Sequence, residues 1–211
     1  MPDLNLLYDA IIRGDAKSAV SLTREALAER KDPVELVAKY MIPAMDEVGR
    51  RFECQDYFVP ELLLSARAMK GALEIIRPLL AERGAEPAGR VVIGTVKGDL
   101  HDIGKNLVAS MLEGAGFEVI DLGTDVAPAK FVEAVRARNA NLVALSALLT
   151  TTMPSMKLTV EEFRKASCRE KVKIMIGGAP VTQQFAEQIG ADGYSDNANG
   201  AVALARRLVS A

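Results

Sequence analysis

The chain has 211 residues, a formal net charge of −2 and an isoelectric point near 5.6. Lysine and arginine alternate with acidic residues along it, which gives no general attraction for nucleic acid or an anionic membrane and excludes both as expected partners. Tryptophan is absent and the aromatic fraction is 5%, a composition that favours alanine-rich helices packed with strands over an all-β domain.

The opening stretch MPDLNLLYDA has no basic segment leading into an apolar core, and no apolar run approaches the roughly 18 residues that span a bilayer. A cytoplasmic protein is expected. From residue 3 to about residue 83 apolar residues recur at helical spacing: Leu4, Leu7, Tyr8 and Ile11, then Ala19, Leu22 and Ala26. Asp32-Pro33 reads as an N-cap followed by proline at the first helical position, opening a third helix through Leu36, Tyr40 and Met45 that Pro43 would bend. A fourth helix is predicted from Glu61 to about Leu80, carrying Leu62, Leu63, Ala66, Met69 and Leu73. Helices of this length joined by short loops make a four-helix bundle, here residues 1–83. Cys54 and Cys168 form no CxxC and only one histidine exists to join them, so two free thiols are expected rather than a zinc site.

Residues 84–89 lack apolar periodicity and are rich in Gly, Ala and Pro, which marks a linker. From residue 90 to 211 the pattern changes. The runs RVVIGTV, FEVIDLG, LVALSAL, VKIMIGG and DGYS alternate with helical stretches at Ile103–Gly114, Pro128–Arg138, Met153–Ala166, Val181–Ile189 and Asn197–Val209. This alternation predicts βαβ units with right-handed crossovers and a doubly wound α/β domain, flavodoxin-like or Rossmann-like, around a five-stranded parallel sheet. Ligands of such sheets sit off the carboxyl ends of the strands, where the strand order reverses.

The first strand end carries GDLHDIGKN, with the only histidine of the chain, His101. The loop lacks the GxGxxG of dinucleotide binders, and Gly104-Lys105 is followed by Asn106 where a Walker loop needs Ser or Thr. The other strand ends are small and polar: Ser146 leading into Thr150-Thr151-Thr152, Gly177-Gly178, and Tyr194-Ser195-Asp196-Asn197. Small side chains at neighbouring strand ends would leave a slot for a long, partly polar group. His101 reads either as a loop histidine satisfied by a nearby carboxylate or as an axial metal ligand whose other ring nitrogen Asp99 holds. With no second His or Cys nearby, the metal in the second reading would arrive already coordinated, as in a corrin.

Asp99-Leu100-His101-Asp102-Ile103-Gly104 matches the DxHxxG signature of cobalamin-binding proteins, and Ser146-x-Leu148 and Gly177-Gly178 match its two companion motifs at the strand ends where they belong. Over nearly its full length the chain resembles the small corrinoid proteins of methyltransferase systems, and the cobalamin-binding module of methionine synthase. The resemblance implies that the nucleotide tail of cobalamin leaves cobalt and inserts into the sheet while His101 takes the lower axial position. It places Asp99 on His101 and a hydroxyl, serine in methionine synthase and Thr152 here, one step further along a proton relay. Gly98, Asp102, Ile103 and Gly104 complete the loop under the corrin, Ser146, Leu148 and Thr150 meet the tail, Gly177 and Gly178 make room for it, and Tyr194, Asp196 and Asn197 close the side. Phe52 and Val59 match residues of the helical cap over the upper face; without the resemblance they would read as bundle core.

The function so implied is a methyl carrier with no catalytic residue of its own, serving cobalamin to a substrate-specific methyltransferase and to a methyl-acceptor methyltransferase, with a reductive activator as a further partner. A cobalamin-dependent sensor joins the same two domains but needs an output domain, and none is visible. The cobalamin subunit of a carbon-skeleton mutase shares DxHxxG but pairs it with a barrel. A flavodoxin-like module without cobalt leaves His101 unexplained.

Overall fold

The computed structural model describes residues 4–210, which divide into two compact units: one ends at Pro87 and takes in Glu113–Gly116, the other holds Ala88–Leu112 and the chain from Phe117 onward. The first unit is helical, with α1 (Leu4–Ile12), α2 (Ala16–Ala28), α3 (Pro33–Leu36), α4 (Ile42–Glu53) and α5 (Val59–Glu82). Leu7, Ile11, Leu36, Met41, Leu62, Met69 and Ile76 are its largest fully buried side chains.

Two local features depart from the sequence expectation. The third helix is interrupted by a wide turn, Val37–Met41, in which the Ile42 N–H reaches back to the Val37 carbonyl. Pro43 supplies the reason: without an N–H it cannot continue the ladder, so the strain is absorbed as one widened turn just ahead of it. The last helix starts at Val59 rather than Glu61. Pro60 is tolerated in a first turn, and the Glu61 carboxylate accepts from the Phe58 N–H at 2.9 Å, so the cap lies before the proline. The turn leading into α5 is held by Tyr57, whose hydroxyl donates to the Ile12 carbonyl at 3.2 Å and accepts from Arg51 at 3.1 Å.

The second unit contains β1 (Arg90–Thr95), α6 (Ile103–Gly114), β2 (Glu118–Asp121), α7 (Pro128–Arg138), β3 (Leu142–Ser146), α8 (Met153–Lys165), β4 (Lys173–Gly177), α9 (Gln183–Ile189), β5 (Gly193–Ser195) and α10 (Ala198–Val209). α9 begins at Gln183, two residues later than Val181, because the Thr182 side chain caps it by accepting from the Phe185 N–H. All pairings are parallel in the order β2-β1-β3-β4-β5. The order reverses between β1 and β3, so the loops after these two strands flank the switch point.

Register decides what meets there. Thr95 pairs with Ser146, Ser146 with Gly177, and Gly177 with Ser195, which sets four small residues in one row across the carboxyl edge. A Cβ on Gly94 would lie 2.9 Å from the Phe131 ring, so that face of β1 packs on α7, and by alternation Thr95 and its row belong to the opposite face. Gly193, two residues before Ser195, faces Leu204 of α10. The α7 side is closed by Phe131, Val143, Leu145, Met156, Val160, Phe163, Ile174 and Ile176.

Candidate cofactor site

His101 lies on the loop between β1 and α6 with half of its side chain exposed, while Asp99, two residues before it, is fully buried. A single carboxylate organises the loop. Asp99 Oδ1 accepts from the His101 N–H at 3.1 Å and meets the ring Nδ1 at 2.8 Å. Its Oδ2 accepts from the Thr152 hydroxyl at 2.6 Å, the Leu148 N–H at 2.8 Å and the Leu149 N–H at 3.3 Å. Burial alone would raise the Asp99 carboxyl, but the bonds from Thr152, the main chain of His101 and Leu148, and the His101 ring outweigh it and hold the group well below the usual carboxylate range. Asp99 is therefore ionised and can only accept. Nδ1 of His101 therefore carries a hydrogen, and in the neutral ring Nε2 carries the lone pair.

The loop is clamped from outside the motif as well. Asp125, in the turn after β2, donates its N–H to the Asp99 carbonyl at 2.9 Å, and its carboxylate accepts from the Gly98 N–H at 2.8 Å and pairs with Lys97 at 3.0 Å. Gly98 sits at φ +87°, where glycine is the unstrained choice. Ser155 donates to the Lys97 carbonyl at 2.9 Å. On the helix side Asp102 accepts from the Asn106 amide at 3.0 Å. The ammonium of Lys105, 1% exposed, reaches Asp121 at 2.5 Å and Asn106 at 2.7 Å.

This pair is asymmetric, since the Asp121 side chain is 39% exposed. Asp121→Ala leaves an ammonium buried with one neutral partner and is expected to cost about 3 kcal/mol, whereas Lys105→Met leaves a carboxylate that water can reach and is expected to cost about 1 kcal/mol. Urea unfolding of the two variants checks the order.

The residues expected at the site divide into three groups. Asp99, His101, Leu148 and Thr152 are joined by hydrogen bonds, with the Thr152 hydroxyl donating to Asp99. Ser146 and Gly177 adjoin one another in the cross-strand row, with Ser195 beyond them. Ile103 and Gly104 are exposed in the first turn of α6 and Thr150 is exposed in the turn before α8.

Three of the residues expected at the site also have local structural roles. A Cβ on Gly178 would collide with the Ala147 carbonyl oxygen, and its φ is +133°, so this glycine is already demanded by its own turn and a bulky substitution there would test the turn rather than a slot. Tyr194 pairs in the alternate row and packs against the α7-side core, although it also borders an open cleft with Ser195, Asp196, Gly200, Ala203, Leu204 and Arg207. Asn197 caps α10, its side chain accepting from the Gly200 N–H at 2.7 Å and donating to Asp196 at 2.9 Å. In the helical unit Phe52 is half-buried and Val59 is exposed, so neither is bundle core, and Phe58 beside Val59 is 62% exposed.

Several residues escaped the sequence reading. Leu100 and Leu149 are exposed large apolar side chains of the His101 and Thr152 loops, as are Ile103 and Leu148, and together they line the edge with apolar surface. Asp125 and Asp121 leave no sequence signal, since loop aspartates are common. Thr95 leaves one: a hydroxyl inside the otherwise aliphatic run RVVIGTV needs a partner once buried.

The arrangement suits a metal that brings its own ligands. Among the described residues no group of three or more His, Cys, Asp or Glu could hold an ion. A half-exposed imidazole, oriented through Nδ1 by a buried carboxylate and carried on a loop with exposed apolar side chains, would suit a metal centre that needs one ligand from the protein, as in a corrin.

Comparison with known proteins agrees. A family model described as the B12 binding domain matches residues 89–203, and a second model of the same description matches residues 4–77. The chain belongs to the B12-binding family. It binds cobalamin and groups with the corrinoid proteins of methyltransferase systems. Trimethylamine corrinoid protein 2 of Methanosarcina mazei is 47% identical over 92% of this chain and 90% of its own length. Among solved structures, a cobalamin-binding protein from Desulfitobacterium hafniense is 34% identical, with a TM-score of 0.81 over 99% of each chain. The methanol:cobalamin methyltransferase complex of Methanosarcina barkeri gives 30% identity and a TM-score of 0.86 over 98% of this chain and 79% of that one.

No helix among the described residues is long and apolar enough to cross a membrane.

Proposed function

We propose that this chain is a cytoplasmic methyl carrier, receiving a methyl group on the cobalt of its cobalamin from a substrate-specific methyltransferase and presenting it to a second methyltransferase that serves tetrahydrofolate or a thiol. Likeness to the trimethylamine corrinoid protein makes a methylated amine the favoured donor class. A reductive activator would return the cofactor to service after accidental oxidation.

The observation that carries this reading is the hydrogen-bonded line from Thr152 through Asp99 to His101, ending in a half-exposed imidazole held through Nδ1. When bound, cobalamin supplies a cobalt centre whose change of oxidation state makes methyl transfer possible in both directions. His101 Nε2 is the group that would hold the metal. Asp99 would orient the ring through Nδ1, and the Thr152 hydroxyl steadies Asp99. Ligation and protonation at Nε2 would draw on one lone pair and so exclude each other.

The other residues take passive roles. Leu100, Ile103, Leu148 and Leu149 offer apolar surface beneath the ring. Ser146 and Gly177 in the cross-strand row, with Thr150 in the turn before α8, would receive the tail.

The test is electron paramagnetic resonance of the cobalamin-loaded protein reduced to Co(II), with and without nitrogen-15 histidine. Since His101 is the sole histidine, the axial-nitrogen splitting is expected to change on labelling. Bound cobalamin whose splitting ignores the label would overturn histidine ligation.

A further inference from the structure

We infer that Thr95 is a positioning residue for His101, acting on its main chain rather than on its ring. Thr95 closes β1, is fully buried, and is the one hydroxyl in that strand. Its backbone is already committed: the N–H donates to the Gly123 carbonyl at 2.9 Å and the carbonyl accepts from the Val126 N–H at 3.0 Å. The hydroxyl is free to serve another segment, and Oγ1 donates to the His101 carbonyl at 2.9 Å.

That bond fixes the peptide between His101 and Asp102, one residue ahead of α6. The His101 N–H is held on the other side by Asp99 Oδ1 at 3.1 Å. With the main chain gripped on both sides of its Cα, the direction of the His101 Cα–Cβ bond is set before any rotamer is chosen. The ring then meets Asp99 at 2.8 Å without searching for it. Asp99 and Thr152 hold the ring itself, while Thr95 holds the frame that carries the ring. The consequence for cobalt rests on the carrier reading above; the grip on His101 does not.

The conservative pair is Thr95→Val, which keeps shape and β-branching but loses the hydroxyl, and Thr95→Ser, which restores it. The readout is the nitrogen-15 spectrum of labelled histidine in cobalamin-free protein, where a sole histidine reports its own tautomer without overlap. In the wild-type chain at about pH 8 the Nδ1–H form is expected to dominate, because ionised Asp99 accepts from it. Thr95→Val is expected to lower the ratio of Nδ1–H to Nε2–H by about threefold to tenfold, the effect of one weakened hydrogen bond. Thr95→Ser is expected to recover it, both variants melting cooperatively. An unchanged ratio in Thr95→Val overturns the inference. If that variant does not fold, Thr95→Ala, which lets water reach the His101 carbonyl, replaces it, and a wild-type ratio there is equally decisive against it. A shifted tautomer in the free protein, together with wild-type cobalt coupling that ignores the histidine label, would sustain Thr95 as a positioning residue and sink histidine ligation, so the two readings fail separately.

Discussion

His101→Ala is expected to bind cobalamin and to lose all histidine-derived coupling to Co(II), while the free protein changes in stability by less than about 1 kcal/mol. The reason for the small stability effect is exposure: half of the side chain is already in water and the ring makes one hydrogen bond. Asp99 keeps its three donors on Oδ2 and the His101 main-chain N–H, which alanine retains. Loss of the axial nitrogen should also make the bound cobalt easier to reduce to Co(I), because an axial donor favours the higher oxidation states. A spectroelectrochemical titration of wild-type and variant protein measures this, and an unchanged midpoint would mean that His101 does not control the metal.

Asp99→Ala should have the opposite profile, a heavy loss of stability before any cofactor is added. One fully buried carboxylate accepts from three main-chain N–H groups, one hydroxyl and one ring nitrogen. Removing it strands donors inside the protein at about 1–3 kcal/mol each, and after partial relaxation the total is expected to reach about 4–6 kcal/mol. That is a large share of the roughly 5–15 kcal/mol that holds a typical protein together. Asp99→Asn should fall between, because its one carbonyl oxygen can face either the His101 side or the Leu148 and Thr152 side while its amide hydrogens oppose the donors on the other. Urea denaturation of the free proteins checks the series, and near-equal midpoints for all three would mean that water replaces the carboxylate.

The two expected profiles differ because the two residues are placed differently. His101 is half-exposed at the edge, where the proposed ligation would occur. Asp99 is buried to build the edge, and its effect on the histidine follows from that.

Much of this was legible in the chain. Alternating apolar runs and helical stretches determined a parallel α/β unit, because a strand buried on both faces must be aliphatic and its crossover helix must show a helical period. The helical period before Pro87 determined the helical unit, and six letters around His101 marked the loop where the proposed corrin ligand sits. Asp32-Pro33 announced a helix start because the capping chemistry is local. What only the tertiary structure decided is contact between residues distant in sequence. The row Thr95, Ser146, Gly177 and Ser195 exists because four strands register at that level. Asp125 grips residues 97–99 across a gap of 26 to 28 positions, and Thr152 reaches Asp99 across 53. Gly178, expected to make room for a ligand, has a demand of its own that only the fold reveals, the close approach of the Ala147 carbonyl. Local patterns report propensity and burial, which each segment carries in its own residues; a hydrogen bond between two loops depends on where the sheet places them, and that is a property of the whole α/β unit.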